Sequence, residues 1–154
     1  MEKMMISVIG AGKWGQALAY ALQKNNEVKI SSRTKKELPN FVDMKTALRS
    51  KYLVIAIPAQ FVRSWLQNNP IPKDSKVIVA AKGIEIENQA FLNEVYAPFV
   101  KKDNIAFISG PSFAKEVMDD LPTAIVINAF NRALASEFAE FFPQNIKTYT
   151  SDDV

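Results

Sequence analysis

The sequence predicts an α/β protein in which a doubly wound, mostly parallel sheet carries helices on both faces. Short runs of apolar residues recur along the chain, as expected of strands that are buried on both faces. Segments with helical spacing of apolar residues separate these runs, and a glycine-rich turn joins the first run to the first helical segment. Alternation of such strands and helices is typical of a parallel sheet covered on both sides.

Seven strands are predicted, each a short run rich in apolar residues between turn-forming residues. They cover residues 4–9, 28–31, 53–57, 77–81, 105–108, 124–128 and 146–150. Most are almost entirely apolar, whereas the second and the last carry several polar residues. Pro58 follows the third strand, and the fourth is followed by Lys82-Gly83.

Six helices are predicted between these strands, where apolar residues recur every three or four positions. They cover residues 14–22, 46–49, 59–66, 89–96, 112–118 and 131–142. Asn25-Asn26 marks the end of the first helix, and Pro39 interrupts the polar stretch before the second. In the third helix, the spacing places four apolar residues on one face, namely Phe61, Val62, Trp65 and Leu66.

Length and composition are those of one globular domain that covers residues 1–154. The chain is 48% hydrophobic and 23% charged, and it contains no repeat, low-complexity segment or linker. Its 19 basic and 16 acidic residues give a net charge of +3. The lysines form only isolated pairs, Lys35-Lys36 and Lys101-Lys102, so we expect no nucleic-acid partner.

Several classes of chemistry are disfavoured by what the chain lacks. It has no cysteine and no histidine, which removes disulfides, the commonest metal ligand and the commonest general base. We therefore expect no metal site. No apolar run approaches the roughly 18 residues of a membrane span, and the N-terminus leads almost directly into a strand. A cytoplasmic protein without a signal peptide is expected.

The most specific motif is the turn Gly10-Ala11-Gly12-Lys13-Trp14-Gly15, which lies between the first strand and the first helix. In this context a G-x-G-x-x-G sequence predicts a Rossmann-type dinucleotide-binding domain. The first glycine makes the turn, the second lets the pyrophosphate approach the backbone, and the third lets helix and strand pack closely. Lys13 either contacts a phosphate or projects into solvent. Trp14 either lines the cofactor pocket or packs on the apolar face of the helix.

The end of the second strand lacks the carboxylate with which NAD-specific domains bind the ribose 2′-hydroxyl. Ser31-Ser32-Arg33 stands there instead, which favours tolerance of NADP, with Arg33 facing the 2′-phosphate. Stacking of Arg33 on adenine, or simple exposure to solvent, remains an open alternative.

Polar residues follow three further strands at the edge of the sheet where ligands of doubly wound folds bind. They belong to the segments Ile57-Pro58-Ala59-Gln60, Lys82-Gly83 and Ser109-Gly110-Pro111-Ser112. The last segment opens a helix and so offers free N–H groups to an anion. An exposed lysine and an ordinary helix cap are the simpler interpretations of the second and third segments.

Together these segments resemble the bacterial NAD(P)-dependent glycerol-3-phosphate dehydrogenases over essentially the whole chain. The resemblance rests on IGAGKWGQALA at 9–19, SSR at 31–33, VIVAAKGIE at 77–85, ISGPSFAKEV at 108–117 and LPTAIVI at 121–127. It implies reversible hydride transfer between NAD(P)H and dihydroxyacetone phosphate. The product, sn-glycerol 3-phosphate, would serve phospholipid synthesis.

The resemblance also implies roles for individual residues through the matching motifs. Four residues would contact the NADP or NAD cofactor alongside the glycines, namely Lys13, Trp14, Arg33 and Ala114. Lys82 would touch both cofactor and substrate, where its charge could orient or polarise the carbonyl. Gly110 and Ser112 would line the substrate position.

The family continues into a helical second domain, which carries the general acid–base lysine and most contacts to the substrate phosphate. No catalytic residue is therefore assigned within residues 1–154. We expect the N-terminal part of a longer enzyme that binds cofactor but does not turn over alone, and a homodimer at full length. Two alternatives are another two-domain reductase, such as ketopantoate reductase, and a free-standing NAD(P)-binding domain that senses redox state.

Overall fold

A computed structural model describes residues 5–80, 86–109 and 114–152, excluding the side chains of residues 86–90. Within these residues the strands are β1 (Met5–Ile9), β2 (Glu27–Ser31), β3 (Tyr52–Ile55), β4 (Lys76–Ala80), β5 (Ile105–Ser109), β6 (Thr123–Ala129) and β7 (Ile146–Ser151). The α-helices are α1 (Lys13–Leu22), α2 (Met44–Ala47), α3 (Ala59–Asn68), α4 (Ile86–Tyr96), α5 (Ala114–Met118) and α6 (Arg132–Ala139). A 3₁₀ turn, Lys102–Asn104, precedes β5.

The strands form one sheet in the order β2-β1-β3-β4-β5-β6-β7. β1 to β5 are mutually parallel, β6 runs antiparallel to β5, and β7 runs parallel to β6. The predicted doubly wound, mostly parallel sheet is therefore confirmed. The chain winds from β1 to β2 on one side and then returns past β1 to β3. This reversal creates a crevice beyond the carboxyl ends of β1 and β3, where ligands of such sheets bind.

Helices cover both faces of the sheet because side chains alternate between its two sides. Helices α1, α5 and α6 pack on one face, which receives Ile6 and Val8 of β1. Helices α2, α3 and α4 pack on the other face, which receives Ile9. None of the described helices is long and apolar enough to cross a membrane.

A polar cluster lies at the amino ends of β3 and β4, the opposite edge from the crevice. Lys76 Nζ lies 3.0 and 3.1 Å from the two carboxylate oxygens of Glu137 in α6. Burial of Tyr52 and its hydrogen bond to the same carboxylate raise the pKa of this phenol to about 12. The Tyr52 ring also packs edge-on against Phe138 and Phe141, so the cluster joins the sheet to α6.

Candidate functional site

The first residue of the glycine turn after β1 has a backbone conformation that residues with a side chain rarely adopt. Gly10 has a φ of +111°, and a Cβ there would stand 2.5 Å from the carbonyl oxygen of Ala56. Its N–H donates to the carbonyl oxygen of Ser31 at 2.7 Å. The turn is thus held between the end of β2 and the residue after β3, at the crevice between them.

The other two glycines of the motif differ in what surrounds them. A Cβ at Gly15 would stand 1.9 Å from the carbonyl oxygen of Gly10, so α1 approaches the turn closely enough to exclude any side chain. A Cβ at Gly12 would have no atom within 4 Å. Packing therefore requires glycine at position 15, whereas the space above Gly12 is open.

Helix α1 begins at this open space without a side-chain cap. Gly12 is its N-cap residue, and its first turn contains no acidic residue. By contrast, the side chains of Asp43 and Asn131 cap α2 and α6. Gln16 fixes the turn by donating from Nε2 to the carbonyl oxygen of Ala11 at 2.8 Å. The N–H groups of the first turn and the positive end of the helix dipole are available to an anion.

A cleft of about 890 Å³ adjoins the turn, and Ile9 and Gly10 form part of its lining. Three segments that are distant in sequence supply its walls. The first follows β2, the second precedes and enters α2, and the third runs from the end of β3 through α3. The lining side chains from these segments include Ser32, Arg33, Lys35, Phe41, Val42, Asp43, Met44, Ile57, Pro58, Phe61, Ser64 and Trp65.

Two cations and one carboxylate stand among the lining residues of this cleft. The carboxylate, Asp43, caps α2 by accepting from the backbone N–H of Thr46 at 2.8 Å. Hydrogen bonds from the side chain and the backbone of Thr46 hold the pKa of Asp43 below its usual value. Arg33 and Lys35, by contrast, have no acidic group within 4.0 Å among the described residues. The cleft therefore presents uncompensated positive charge beside the glycine turn.

The residues predicted from sequence occupy several different surroundings. Gly10 and Arg33 line the cleft, while Gly12 and the exposed Lys13 lie in the adjoining turn. Trp14 packs against the core cluster beneath α1, which matches the packing alternative. Ala114 is buried at the start of α5, in the same cluster.

The residues assigned to the substrate lie outside the described part of the chain, namely Lys82, Gly110 and Ser112. Of the segment that contains the last two, the structure describes only Ser109. Its hydroxyl accepts a hydrogen bond from the side-chain amide of Asn128 at 3.3 Å. The two segments that precede the undescribed residues, β4 and β5, are adjacent in the sheet.

The cleft-lining side chains that sequence reasoning did not assign to a site include Lys35, Phe41 and Phe61. The third predicted helix was expected to carry four apolar residues on one face. Val62 and Leu66 are buried, but Phe61 is 53% exposed and faces the cleft. The sequence does indicate this exposure, because Phe61 and Trp65 form a second row of residues four positions apart, beside the buried row of Val62 and Leu66.

Comparisons with known proteins agree with this geometry. A family model described as "NAD-dependent glycerol-3-phosphate dehydrogenase N-terminus" matches residues 5–42 and 34–135. A glycerol-3-phosphate dehydrogenase [NAD(P)+] of Sulfurimonas denitrificans is 58% identical over 149 residues, which are 97% of this chain and 50% of that protein. The corresponding Nitratiruptor protein is 47% identical over 98% of this chain and 50% of its own length. This chain thus spans about half the length of the curated relatives it matches.

Solved structures show the same arrangement of strands and helices. The glycerol-3-phosphate dehydrogenase of Coxiella burnetii superposes with a TM-score of 0.77 at 25% identity, over 99% of this chain and 55% of that chain. A ketopantoate reductase of Staphylococcus aureus superposes with a TM-score of 0.63 at 13% identity, over 97% of this chain and 60% of that one, and so shares the fold alone. With its glycine turn, its cleft and a family match over most of its length, the chain belongs to the family of NAD-dependent glycerol-3-phosphate dehydrogenase N-terminal domains.

Proposed function

We propose that this chain binds NAD or NADP, with the pyrophosphate at the start of α1 and the adenosine half in the cleft. The observation that carries the proposal is the open space above Gly12, at a helix start without a side-chain cap. A pyrophosphate fits there because it can accept from the free N–H groups and meets the positive end of the helix dipole. The residues present therefore fit the group.

The neighbouring cleft suits adenosine in both shape and chemistry. Phe41 and Phe61 supply aromatic surface, and Arg33 adds a planar guanidinium to the same lining. Such groups favour contact with a purine ring, through stacking and cation–π attraction. The volume of about 890 Å³ is within the usual range of small-molecule sites.

We further propose that the chain is the N-terminal part of a glycerol-3-phosphate dehydrogenase. When bound, the coenzyme would exchange a hydride with dihydroxyacetone phosphate or sn-glycerol 3-phosphate, in the supply of phospholipid precursors. Support comes from the family match, the names of the relatives and the fact that this chain spans half their length. Within this proposal Lys13 stands beside the pyrophosphate, and Lys82, Gly110 and Ser112 keep the substrate roles implied by their motifs.

The roles of the described residues are binding and orientation. The glycine turn would hold the coenzyme by its pyrophosphate, and the cleft would hold its adenosine, so the nicotinamide end extends past β1 toward β4 and β5. Such fixed placement is a large part of catalysis, since it removes the entropy of bringing reactants together. The acid–base group of the reaction belongs, in this proposal, to the remaining half of the enzyme.

Calorimetric titration of the 154-residue chain with NADH and with NADPH tests the binding proposal. We expect saturable binding of at least one coenzyme, and binding of neither would refute it. An activity assay with dihydroxyacetone phosphate tests the second proposal. We expect no oxidation of NADPH by this chain at enzyme-like rates, but turnover by a full-length protein with the same N-terminal half. A full-length protein that reduces ketopantoate instead would refute the proposed substrate.

A further inference from the structure

We infer that Lys35 is a specificity-determining residue that acts with Arg33 to hold the 2′-phosphate of NADP. The inference rests on the proposed function, because it assigns a role within the same cleft. Lys35 belongs to a lysine pair that has no evident meaning in the sequence, and only the structure separates its two members. Lys35 lines the cleft, whereas Lys36 does not belong to the lining.

The geometry of the segment after β2 explains this separation. Ser32, Arg33 and Lys35 line the cleft, whereas Thr34 and Lys36 are exposed residues outside the lining. Arg33 and Thr34 form a bend, and Lys35 follows it, so the two cations stand on either side of Thr34 along the lining of one cleft. Arg33 and Lys35 are therefore presented to the same ligand.

The loop that carries Lys35 is attached to the sheet on both sides. The Ser32 hydroxyl donates to the carbonyl oxygen of Thr34, which shapes the turn between the two cations. After the loop, the chain returns alongside β2, where Ile30 forms a bridge with Phe41. The N–H of Val42 donates to the carbonyl oxygen of Ile30 at 2.9 Å. These bonds limit the freedom of the loop backbone, so binding a ligand needs to order little more than the Lys35 side chain.

The charge of the 2′-phosphate explains why a second cation would strengthen binding. A phosphate monoester carries about −1.5 to −2 charges at pH 7, so one guanidinium neutralises only part of it. Arg33 and Lys35 together match this charge, and neither has an acidic partner within 4.0 Å in the described parts of the chain. Asp43, the carboxylate of the lining, is already engaged by Thr46 at the start of α2. The 2′-hydroxyl of NAD offers no comparable charge, so the contact would discriminate between the two coenzymes.

Calorimetric titration of variants of the 154-residue chain tests the inference, with NADPH and NADH as paired ligands. We expect Lys35→Ala to weaken NADPH binding about three- to fivefold, the upper part of the range of an exposed charge pair, and to leave NADH binding almost unchanged. Arg33→Ala is expected to weaken NADPH binding about tenfold, because the guanidinium can bind two phosphate oxygens at once. Lys35→Arg should restore most of the NADPH affinity.

Lys36→Ala is the matched control, because it removes the same charge one residue away from the lining. It should leave the ratio of NADPH to NADH affinity unchanged. A second ligand pair, 2′,5′-ADP and 5′-AMP, isolates the phosphate from the nicotinamide half, and Lys35→Ala should weaken only the former. Thermal unfolding of each variant verifies that folding is retained.

Three results would overturn the inference. Equal weakening of NADPH and NADH by Lys35→Ala would place the lysine at the pyrophosphate. Equal effects of Lys35→Ala and Lys36→Ala would reduce the role to general attraction of anions. Unchanged NADPH binding in Lys35→Ala would exclude any contact. Failure of the unsubstituted chain to bind either coenzyme would be a different result, since it overturns the proposed function and this inference with it.

Discussion

Substitution of Gly12 by alanine separates coenzyme binding from folding. Gly12 has a φ of −77° and a ψ of −174°, a conformation open to alanine, and no atom lies within 4 Å of the added Cβ. Alanine lowers the entropy of the unfolded chain but is a poorer N-cap than glycine, and the two effects oppose each other. We expect the free energy of unfolding to change by less than about 1 kcal/mol.

Binding of the coenzyme should respond very differently to the same methyl group. In the proposed complex the Cβ would occupy the space of the pyrophosphate at the start of α1. Overpacking of a filled site by one methyl group costs about 1–3 kcal/mol. The dissociation constant of NADH should therefore rise about five- to 150-fold.

Gly15→Ala provides the contrasting variant within the same motif. The added Cβ would stand 1.9 Å from the Gly10 carbonyl oxygen, whereas real Cβ contacts essentially never fall below 3.0 Å. Helix α1 and the turn must then separate by more than 1 Å. Since the obstacle is backbone, we expect the free energy of unfolding to fall by about 3 kcal/mol.

Urea unfolding and calorimetric titration with NADH measure the two quantities on the same three proteins. Gly12→Ala should unfold at nearly the urea concentration of the unsubstituted chain, while Gly15→Ala should unfold well below it. Undiminished NADH binding by Gly12→Ala would refute the placement of the pyrophosphate. A loss of stability in Gly12→Ala as large as that in Gly15→Ala would refute the claim that the space is open.

Three further predictions concern the buried tyrosines and the polar cluster at the other edge of the sheet. The Tyr96 hydroxyl is buried without a hydrogen-bond partner in the described structure, so Tyr96→Phe should raise the free energy of unfolding by about 1 kcal/mol. Tyr52→Phe loses the hydrogen bond to Glu137 and should lower the free energy of unfolding by about 1–2 kcal/mol. Urea unfolding of both variants measures these changes. The raised pKa of Tyr52 means that the folded state holds the phenolic proton more tightly than the unfolded state does. The resulting contribution to the free energy of unfolding is complete below pH 10 and is lost as the pH rises toward about 12. Tyr52→Phe should lack this pH-dependent loss of stability in alkaline unfolding. Burial alone would raise the pKa of Glu137, but the Tyr52 hydroxyl and Lys76 outweigh burial and lower that pKa. Stability that is present at neutral pH is therefore lost as the pH falls below the usual value of 4.5. Glu137→Gln should make the free energy of unfolding less dependent on pH in this acid range, and an unchanged dependence would contradict the assignment.

The sequence alone determined the fold class and the position of the glycine turn, because both depend on local properties. Buried strands need apolar residues in an uninterrupted run, and the predicted strands 4–9, 53–57 and 77–81 fall within two residues of the observed ones. The need for glycine at position 10 is likewise local in part, since its φ of +111° is a conformation that other residues rarely adopt. The order of strand, glycine turn and helix along the chain was sufficient to predict a dinucleotide site.

Only the tertiary structure decided which side chains surround that site. Three segments form the walls of the cleft. The order of the strands and the paths of the loops bring these segments together, and local sequence spacing predicts neither the strand order nor the loop paths. Phe61 illustrates the difference: helical spacing places it on one face with Val62 and Leu66, but those two fill the core and Phe61 lies at the cleft. The direction of β6 shows the same limit, because an apolar run is compatible with either direction and pairing with β5 selects one. Lys35 and Lys36 are equivalent as sequence, and the path of the loop after β2 distinguishes them. Propensity acts within one element, whereas a binding site depends on where separate elements meet.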